Sequence, residues 1–466
     1  MDDNFQEAKI YILEESTKDK PIDPSTTKKR YITLFFACLI CVGSYFCYHN
    51  PAALEKKLKS KLNMTSVEYN LLYSVYSFPN LIFPIIGGVI MDKFGARPLV
   101  FLSTILVTAG QAIFAFGVSV GSFPLALLGR GVFGCGGENL DLGQSFIDIA
   151  WFEGRELSMA FGLGSAISML GIVFNDNTEP VIADKFNVDT GLWFGFLICI
   201  GSLIAALIVI VIDRRREKLL GIKKKSERPE SEKFKFKDIK EFDKTYWILL
   251  INCITSETSV YCFEYIASGF FQDRFGFSSV EAGFIMSTTF FIAALSSPII
   301  GFITDKFGKR MIFLISSGLF STLFHISFMI IPDTNKPIYP LFFMLLLGLS
   351  YSIYNTVYWA ALTYIVDSKL IGTAMGTSYV VSNLGLILIP PLIGYVQDTT
   401  HLYKGYFWVS FCLALLGFLG VLSGIWVHLI DMKNGKVLHS ADPVKARNQW
   451  KLLPSNKSSV FVDIVN

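Results

Sequence analysis

Three acidic residues stand in one apolar stretch of the sequence, residues 125–151. At roughly 100° per residue, a helix would place Glu138, Asp141 and Asp148 within about 80° of one another, as a single stripe. Acids inside a membrane cost roughly 3 kcal/mol or more each, and they are functional candidates. Glu138 is therefore predicted to hold a substrate amine or a proton, or to pair with Arg130 two turns earlier. Asp148 is predicted to act in gating.

A second apolar stretch, residues 247–271, repeats the pattern. Glu257 and Glu264 lie two helical turns apart on one face, with Tyr261 between them, and they either line a cavity or pack helices. An acidic cavity would repel dicarboxylates and phosphate esters and would suit cations or zwitterions with a free amine. No nucleophile with a base and an orienting group, and no cluster of metal ligands, stands at a recognisable spacing. We therefore predict neither an enzyme nor a cofactor.

The elements that position these residues are predicted to be membrane-spanning helices. Of 466 residues, 52% are hydrophobic and 17% charged, and the mean hydropathy is +0.48. Soluble domains carry roughly 25% charged residues. Twelve apolar runs of roughly 20 residues predict an all-α membrane protein with twelve transmembrane helices in two pseudosymmetric six-helix bundles. The predicted divisions are an N-terminal tail (1–30), a first bundle (31–213), a linker (214–244), a second bundle (245–430) and a C-terminal tail (431–466).

An internal repeat supports two related halves. The segment GGVIMDKFGARP at 87–98 recurs as IIGFITDKFGKR at 299–310, with matching residues 213 positions apart. The matching charged pairs are Asp92 with Asp305 and Arg97 with Arg310. Each acid would end a helix, where it can accept from a helix N-terminus of the other half and pair with the arginine. These residues are predicted to close one face of a two-fold pseudosymmetric membrane transporter.

Charge in the loops predicts the orientation. The linker 214–244 holds thirteen Lys and Arg against seven Asp and Glu, so the positive-inside rule places it, and with it both termini, in the cytoplasm. One outer loop departs from this rule, because it carries Lys56, Lys57, Lys59 and Lys61 against Glu55. We interpret this lysine patch as a docking surface or a surface that faces membrane lipid. The small net charge of +3, with basic residues in loops, gives no support to a nucleic-acid partner.

The repeated loop motif within a twelve-span pattern resembles the major facilitator superfamily. The second signature of that family, GRxxxGxG, is matched by Gly129, Arg130, Gly134 and Gly136. Arg130 is the one Lys or Arg inside a predicted span, and we include it among the gating residues. The resemblance implies alternating access, with spans one, four, seven and ten lining a central cavity.

Shorter segments are similar to the major facilitator domain-containing type 1 proteins. These segments are GSYFCYHNPAAL (43–54), LLYSVYSFPN (71–80), FGCGGEN (133–139), FGFSS (275–279) and LGLSYS (347–352). The resemblance implies export of dipeptides, cationic ones favoured, from the lysosomal lumen to the cytosol by facilitated diffusion, with a single-pass glycosylated accessory subunit. Two positions depart from that family: His49 replaces an acid, and Met169 replaces an arginine that holds the peptide carboxylate. We expect His49 to be a hydrogen-bonded surface residue rather than a proton sensor, which is the alternative role for a histidine there.

Together these patterns predict a transporter in the lysosomal membrane for a short peptide or amino-acid-like molecule. The predicted substrate ligands are Tyr45, Tyr76, Asn80, Glu138, Asn139, Asp141, Glu257, Tyr261, Asn355, Trp359 and Asn383. The predicted gating residues are Asp92, Arg97, Arg130, Asp148, Asp305 and Arg310. An amino-acid or organic-cation carrier, with or without proton coupling, remains an alternative. A non-transporting nutrient receptor is the alternative from another class, and the short linker and tails argue against it.

Overall fold

The computed structural model describes residues 23–152, 156–221, 242–331, 337–366, 370–443 and 445–446, and within these ranges the chain is helical, without β-strands. The helices are α1 (Lys29–Ile40), α2 (Val42–Ala53), α3 (Glu55–Leu62), α4 (Ser66–Ser77), α5 (Phe83–Phe94), α6 (Ala96–Ser119), α7 (Phe123–Phe152), α8 (Leu157–Lys185), α9 (Val188–Leu220), α10 (Lys244–Phe275), α11 (Ser279–Phe307), α12 (Arg310–Ile330), α13 (Ile338–Ile365), α14 (Ile371–Thr399) and α15 (Tyr406–Lys433). Single 3₁₀ turns stand at Pro24–Thr26 and Pro79–Leu81.

Most of these helices can cross a membrane. Among the described residues, nine segments are long and apolar enough to cross a membrane, and α1 and α2 together form one of them. If α4 and α5, which are bent by 42° relative to each other, also form one span, the number rises to ten. The long helices outside this set are α7 and α10, of 30 and 32 residues. These two helices carry the acidic stripes, and charged side chains lower their hydropathy. The all-helical membrane fold is thus confirmed, while the count of twelve spans depends on α7 and α10.

The internal repeat is also a repeat of backbone structure. Thr65 and Glu68 form a capping box at the start of α4, and Ser278 and Glu281 form one at the start of α11. At the other end of each unit, Gly95 and Gly308 stop a helix with positive φ angles of 86° and 66°. Both pairs keep the 213-residue offset of the sequence. Equivalent local signals therefore begin and end equivalent helices in the two halves.

The GRxxxGxG signature lets α7 approach its neighbours closely. A Cβ atom added at Gly134 would overlap the main-chain oxygen of Tyr76, and one at Gly129 would overlap the backbone of Phe114. Small residues of this kind are typical of close helix packing in membranes. The glycines consequently bring α7, with its acids, against α4 and α6.

All four predicted boundaries fall inside helices, since α1 already begins at Lys29 and α10 at Lys244. Helix α9 continues seven residues beyond position 213, to Leu220, and α15 continues three residues beyond position 430, to Lys433. The segment after α15 then packs back on the protein, because Asp431 accepts hydrogen bonds from the main chain of Leu438 (2.9 Å) and His439 (3.0 Å). The Leu438 side chain is fully buried. The start of the C-terminal tail is therefore part of the packed structure.

The two halves meet at the end of the helix assembly remote from residues 23–29, which we call the distal end; the opposite end is the terminal end. Asp398 of α14 accepts from the main-chain N–H groups of Ser66 and Val67 at 3.1 Å each, at the start of α4. On the other side of the molecule, α8 packs against α11, where Gly283 leaves room for the backbone of Asp176. The distal end is thus closed between the halves.

Candidate functional site

A cavity of about 160 Å³ lies between the halves and is lined by side chains from α2, α4, α7, α8, α10, α13 and α14. The lining residues are Ser44, Tyr45, Tyr48, Tyr76, Glu138, Asp141, Ser165, Met169, Ile172, Glu257, Tyr261, Tyr351, Asn355, Trp359, Tyr379, Ser382, Asn383 and Leu386. Lys, Arg and His are absent from this described lining. The cavity is smaller than the roughly 300–1,000 Å³ typical of pockets for drug-sized ligands, so it fits a small solute.

Three carboxyl groups face the cavity with different partners. Asp141 accepts a hydrogen bond from the Tyr45 hydroxyl (3.2 Å). Glu257 accepts from the Tyr354 hydroxyl (3.4 Å) and from the Ser382 hydroxyl. For Glu138 the described part of the chain provides no hydrogen bond and no ion pair. Glu138 is therefore the cavity carboxyl group with its acceptor capacity open to a ligand.

Aromatic rings complete the walls around the carboxyl groups. The hydroxyl groups of Tyr261 and Tyr351 are 2.8 Å apart, and Trp359 stacks on Tyr379 with ring centroids 4.5 Å apart. Aromatic faces attract ammonium and guanidinium groups through their quadrupole. The lining thus combines acids and aromatic rings, both of which attract cationic groups, with the amides of Asn355 and Asn383.

Most of the predicted substrate ligands reach the cavity. Those in its lining are Tyr45, Tyr76, Glu138, Asp141, Glu257, Tyr261, Asn355, Trp359 and Asn383. Asn80 and Asn139 are not in the described lining. Asn139 follows Glu138 by about 100° around α7, and its side chain is directed to Gly87 of α5. Asn80 is buried in the 3₁₀ turn, where its amide donates to the main chain of Tyr76 at 3.4 Å.

Sequence reasoning missed several lining residues. Tyr48, Tyr351, Tyr379 and Ser382 line the cavity although we did not predict them as ligands. A signal was present in helical spacing, because Tyr48 follows Tyr45 by three residues, and positions 351, 355 and 359 are four apart on α13.

Arg130 has a structural position behind the cavity wall. Its guanidinium is fully buried and donates to the main-chain oxygens of Cys47 (3.2 Å), Tyr48 (3.3 Å) and Leu72 (3.4 Å). It is not part of the lining, and the described contacts contain no ion pair between Arg130 and Glu138. The structure therefore favours the interpretation of Glu138 as a ligand over its pairing with Arg130. Arg130 instead ties α2 and α4 to α7.

A layer of tyrosines closes the cavity on its distal side. The hydroxyl groups of Tyr48 and Tyr265 are 2.5 Å apart, which joins α2 of one half to α10 of the other. Tyr265 also stacks on Tyr73 with ring centroids 3.6 Å apart, and its main-chain oxygen accepts from the Tyr69 hydroxyl at 2.6 Å. These contacts fill the space between α2, α4 and α10.

The lysine patch of the distal loop is paired with acids, and its interpretation as a docking or lipid-facing surface stays a prediction. Lys56 pairs with Asp273 of the other half at 2.7 Å, and Lys59 lies 3.7 Å from Glu55. Lys57 and Lys61 pair with Asp184 and Asp189, respectively. Of these pairs, Lys56–Asp273 joins the two halves, while the other three lie within the first half.

His49 is hydrogen-bonded, as we expected, but it is buried, so its predicted place on the surface was wrong. Its Nδ1 atom lies 2.9 Å from a carboxylate oxygen of Asp176 on α8, and both side chains are fully buried. The imidazole also contacts the edge of Phe290 on α11, with ring centroids 5.0 Å apart. His49 therefore lies at the interface between the halves.

The repeated loop motif lies at the terminal end, where its two copies have different partners. Arg97 pairs with Asp213 (3.4 Å) and Glu217 of α9. Arg310 lies 3.5 Å from Asp305, which is 77% exposed, and donates to the main chain of Ser440 at 2.8 Å. The side chain of Asp92 lies outside the described part of the structure.

The remaining predicted gating residue, Asp148, lies away from the cavity. It is buried on α7 and faces Gly164 of α8 within the same half. Its role in gating stays a prediction.

Comparison with known proteins identifies the family. A family model of the Major Facilitator Superfamily matches residues 34–390 and 249–461. The lysosomal dipeptide transporter MFSD1 of Mus musculus is 34% identical over 441 residues, which covers 92% of this chain and 92% of that protein. The Bos taurus protein of the same name is 32% identical over 441 residues, or 92% of this chain and 91% of the relative. The resemblance found in the sequence is thereby confirmed, and these relatives are transporters rather than enzymes.

Solved structures show the same fold. A bacterial homologue of the human lysosomal transporter Spinster, in an inward-facing and occupied conformation, has a TM-score of 0.66 at 15% identity, covering 86% of this chain and 97% of that one. The peptide transporter POT in complex with alafosfalin has a TM-score of 0.64 at 16% identity, covering 85% of this chain and 94% of that one. This chain belongs to the Major Facilitator Superfamily.

Proposed function

We propose that the protein moves dipeptides, cationic or neutral ones preferred, across the lysosomal membrane by alternating access. Relatives at 32–34% identity over most of the chain are named lysosomal dipeptide transporters. Export to the cytosol by facilitated diffusion, with both termini cytoplasmic, follows from the resemblance and the loop charges. A single-pass glycosylated accessory subunit belongs to the same proposal.

One observation carries the substrate preference: three carboxyl groups line a cavity whose described lining has no basic side chain. An amine held by Glu138 would make a charge-assisted hydrogen bond, worth about 1.5–3 kcal/mol. A doubly acidic dipeptide would instead bring further negative charge to these carboxyl groups. Cationic dipeptides are thus expected to bind better than acidic ones by tenfold or more, which corresponds to about 1.4 kcal/mol or more.

Met169 favours a second candidate, a carrier of amino acids or organic cations. Its side chain lies in the cavity lining, at the position where the resemblance expects an arginine for the peptide carboxylate. A thioether cannot anchor a carboxylate. A substrate without a carboxylate would lose no binding affinity from the absence of an arginine at this position.

Uptake into proteoliposomes that contain the purified full chain tests the proposal. Labelled Lys-Ala should be taken up and should be displaced by Lys-Ala and Ala-Ala more strongly than by Asp-Glu, with and without a pH gradient. Uptake of a labelled diamine that neither Lys-Ala nor Ala-Ala inhibits would favour the second candidate. Equal competition by Asp-Glu and Lys-Ala would contradict the electrostatic argument.

A further inference from the structure

Two acids at the distal end are buried against the opposite half and lie outside the cavity lining. Glu55 of α3, in the first half, is 1% exposed, and its carboxylate accepts from the main-chain N–H of Gly269 on α10 at 2.8 Å. Glu264 of α10, in the second half, is fully buried. Binding of substrate in the cavity involves neither residue, yet a buried acid is costly unless it is paired or neutral.

Glu264 has unsatisfied oxygens inside the interface. Neither carboxylate oxygen has a hydrogen-bond partner within the described structure, although the Thr289 hydroxyl of α11 lies beside it. Across the interface, the negative charge of Asp176 on α8 acts on Glu264, and Asp176 is itself paired with His49 of α2. His325 of α12 is directed elsewhere, to the main-chain oxygen of Ser259 at 3.0 Å. An ionised Glu264 would thus lie near an acid, with the neutral Thr289 hydroxyl as the described donor beside it.

Glu55 lies beyond the membrane-spanning part of the first helix, and burial raises its pKa to about 7 from an ordinary value of 4.5. Lys59 and Lys56 of its own helix and the Gly269 N–H oppose this effect, and Asp273 of α10 adds to it. When the halves separate, Glu55 returns to water and to an ordinary pKa. Between pH 4.5 and 7 the closed form consequently holds a proton that the open form releases, so a fall in pH favours closure.

We propose that the distal end is a proton-linked latch, in which Glu55 and Glu264 each take up a proton as the two halves close on them. Both acids face the other half, so opening exposes both to the same compartment, and each proton returns there. Low pH on the distal side then drives the transporter to the distally closed form. A carrier that collects its substrate from an acidic compartment would close more readily after loading.

The distance between the halves at the distal end, measured by electron spin resonance without substrate, tests the latch independently of the proposed function. Spin labels are introduced by cysteine at Phe186 and Leu402, which are 71% and 50% exposed on opposite halves. Cys135 and Cys412 are changed to serine, because the other six cysteines are buried. Between pH 8 and pH 5 the ratio of closed to open molecules should rise, by up to about tenfold per pH unit for each proton taken up.

Glutamine keeps the shape of a protonated glutamate, so Glu55→Gln and Glu264→Gln should each reduce the pH dependence and favour the closed form. The double variant should stay closed at both pH values. Glu179→Gln is the matched control, since Glu179 is also fully buried at the distal end but faces Gly191 of its own half. It should retain the full pH response. An unchanged distance distribution between pH 8 and pH 5 in the unmodified protein, or a full response in the double variant, would overturn the proposal.

A second measurement needs no substitution in the latch. Amide hydrogen exchange of the unmodified full chain, corrected for intrinsic rates, should show stronger protection of residues 265–275 at pH 5 than at pH 7.5. Equal protection at the two pH values would also overturn the latch.

Discussion

The acids of the cavity and the acids of the distal interface are the same residue types on partly the same helices, but their surroundings differ. Glu138, Asp141 and Glu257 are half-buried around a space large enough for a ligand. Glu55 and Glu264 are buried against the opposite half, outside the cavity lining. Glu257 and Glu264 are seven residues apart on α10, so their depth along one helix separates the two roles. The role of an acid in a transporter helix therefore depends on the groups that surround its side chain.

The sharpest test of this difference is Glu138→Gln. The amide keeps the shape but removes the charge, so transport of Lys-Ala should fall by about 10- to 100-fold, in line with roughly 1.5–3 kcal/mol for a hydrogen bond to a charged group. Uptake into proteoliposomes and ligand-induced thermal shifts measure this loss. Glu179→Gln, the same substitution within a single half, should leave Lys-Ala uptake near that of the unmodified protein. Loss of uptake in both variants would remove the distinction between cavity and packing acids.

The two copies of the loop motif give the next prediction. Asp92→Asn should reduce transport several-fold while expression and membrane insertion stay normal, because the acid is predicted to help close the terminal end. Asp305→Asn should have less effect in the conformation seen here, since Asp305 is 77% exposed and its contact with Arg310 is 3.5 Å long. Parallel uptake assays with both variants make the comparison. Unchanged transport by Asp92→Asn would contradict its gating role.

Met169→Arg has a smaller expected effect and tests the absence of a basic side chain for the peptide carboxylate in the cavity lining. A new guanidinium in the lining would pair with the C-terminal carboxylate of a dipeptide and should improve binding of the free acid over the amidated form by up to about tenfold. The unmodified protein should bind both forms with similar affinity, and thermal shifts with matched peptide pairs measure the difference. A preference of tenfold or more for the free acid in the unmodified protein would mean that another group holds the carboxylate.

Local and periodic features of this protein were predictable from the sequence, and contacts between distant segments were not. The offset of 213 residues predicted matching halves, and the same offset relates the capping boxes that start with Thr65 and Ser278. The position of Glu138 followed from helical periodicity, whereas Asn139 was predicted as a ligand although it follows Glu138 by about 100° around the helix. The burial of His49 depends on Asp176, 127 residues away, and no local pattern carries that information.

The smallest expected effect concerns an ion pair at the terminal end, which contrasts with the distal acids in its response to pH. Asp23 accepts two hydrogen bonds from Arg216, at 2.8 and 2.9 Å, and the hydrogen bond from Arg216 lowers the pKa of Asp23 to about 2 from 3.8. A lowered pKa stabilises the folded chain above pH 3.8, and this contribution is lost as the pH falls through 2. Because the pair is partly exposed, Asp23→Asn should cost no more than about 1 kcal/mol.

Between pH 5 and pH 8 this cost should be constant, since Asp23 stays ionised throughout, whereas the distal latch should respond to pH over the same range. Thermal unfolding of Asp23→Asn and of the unmodified protein across that range measures the difference. A stability difference that changed with pH would mean that the terminal end also binds protons, and the distal end would no longer be distinct in this respect.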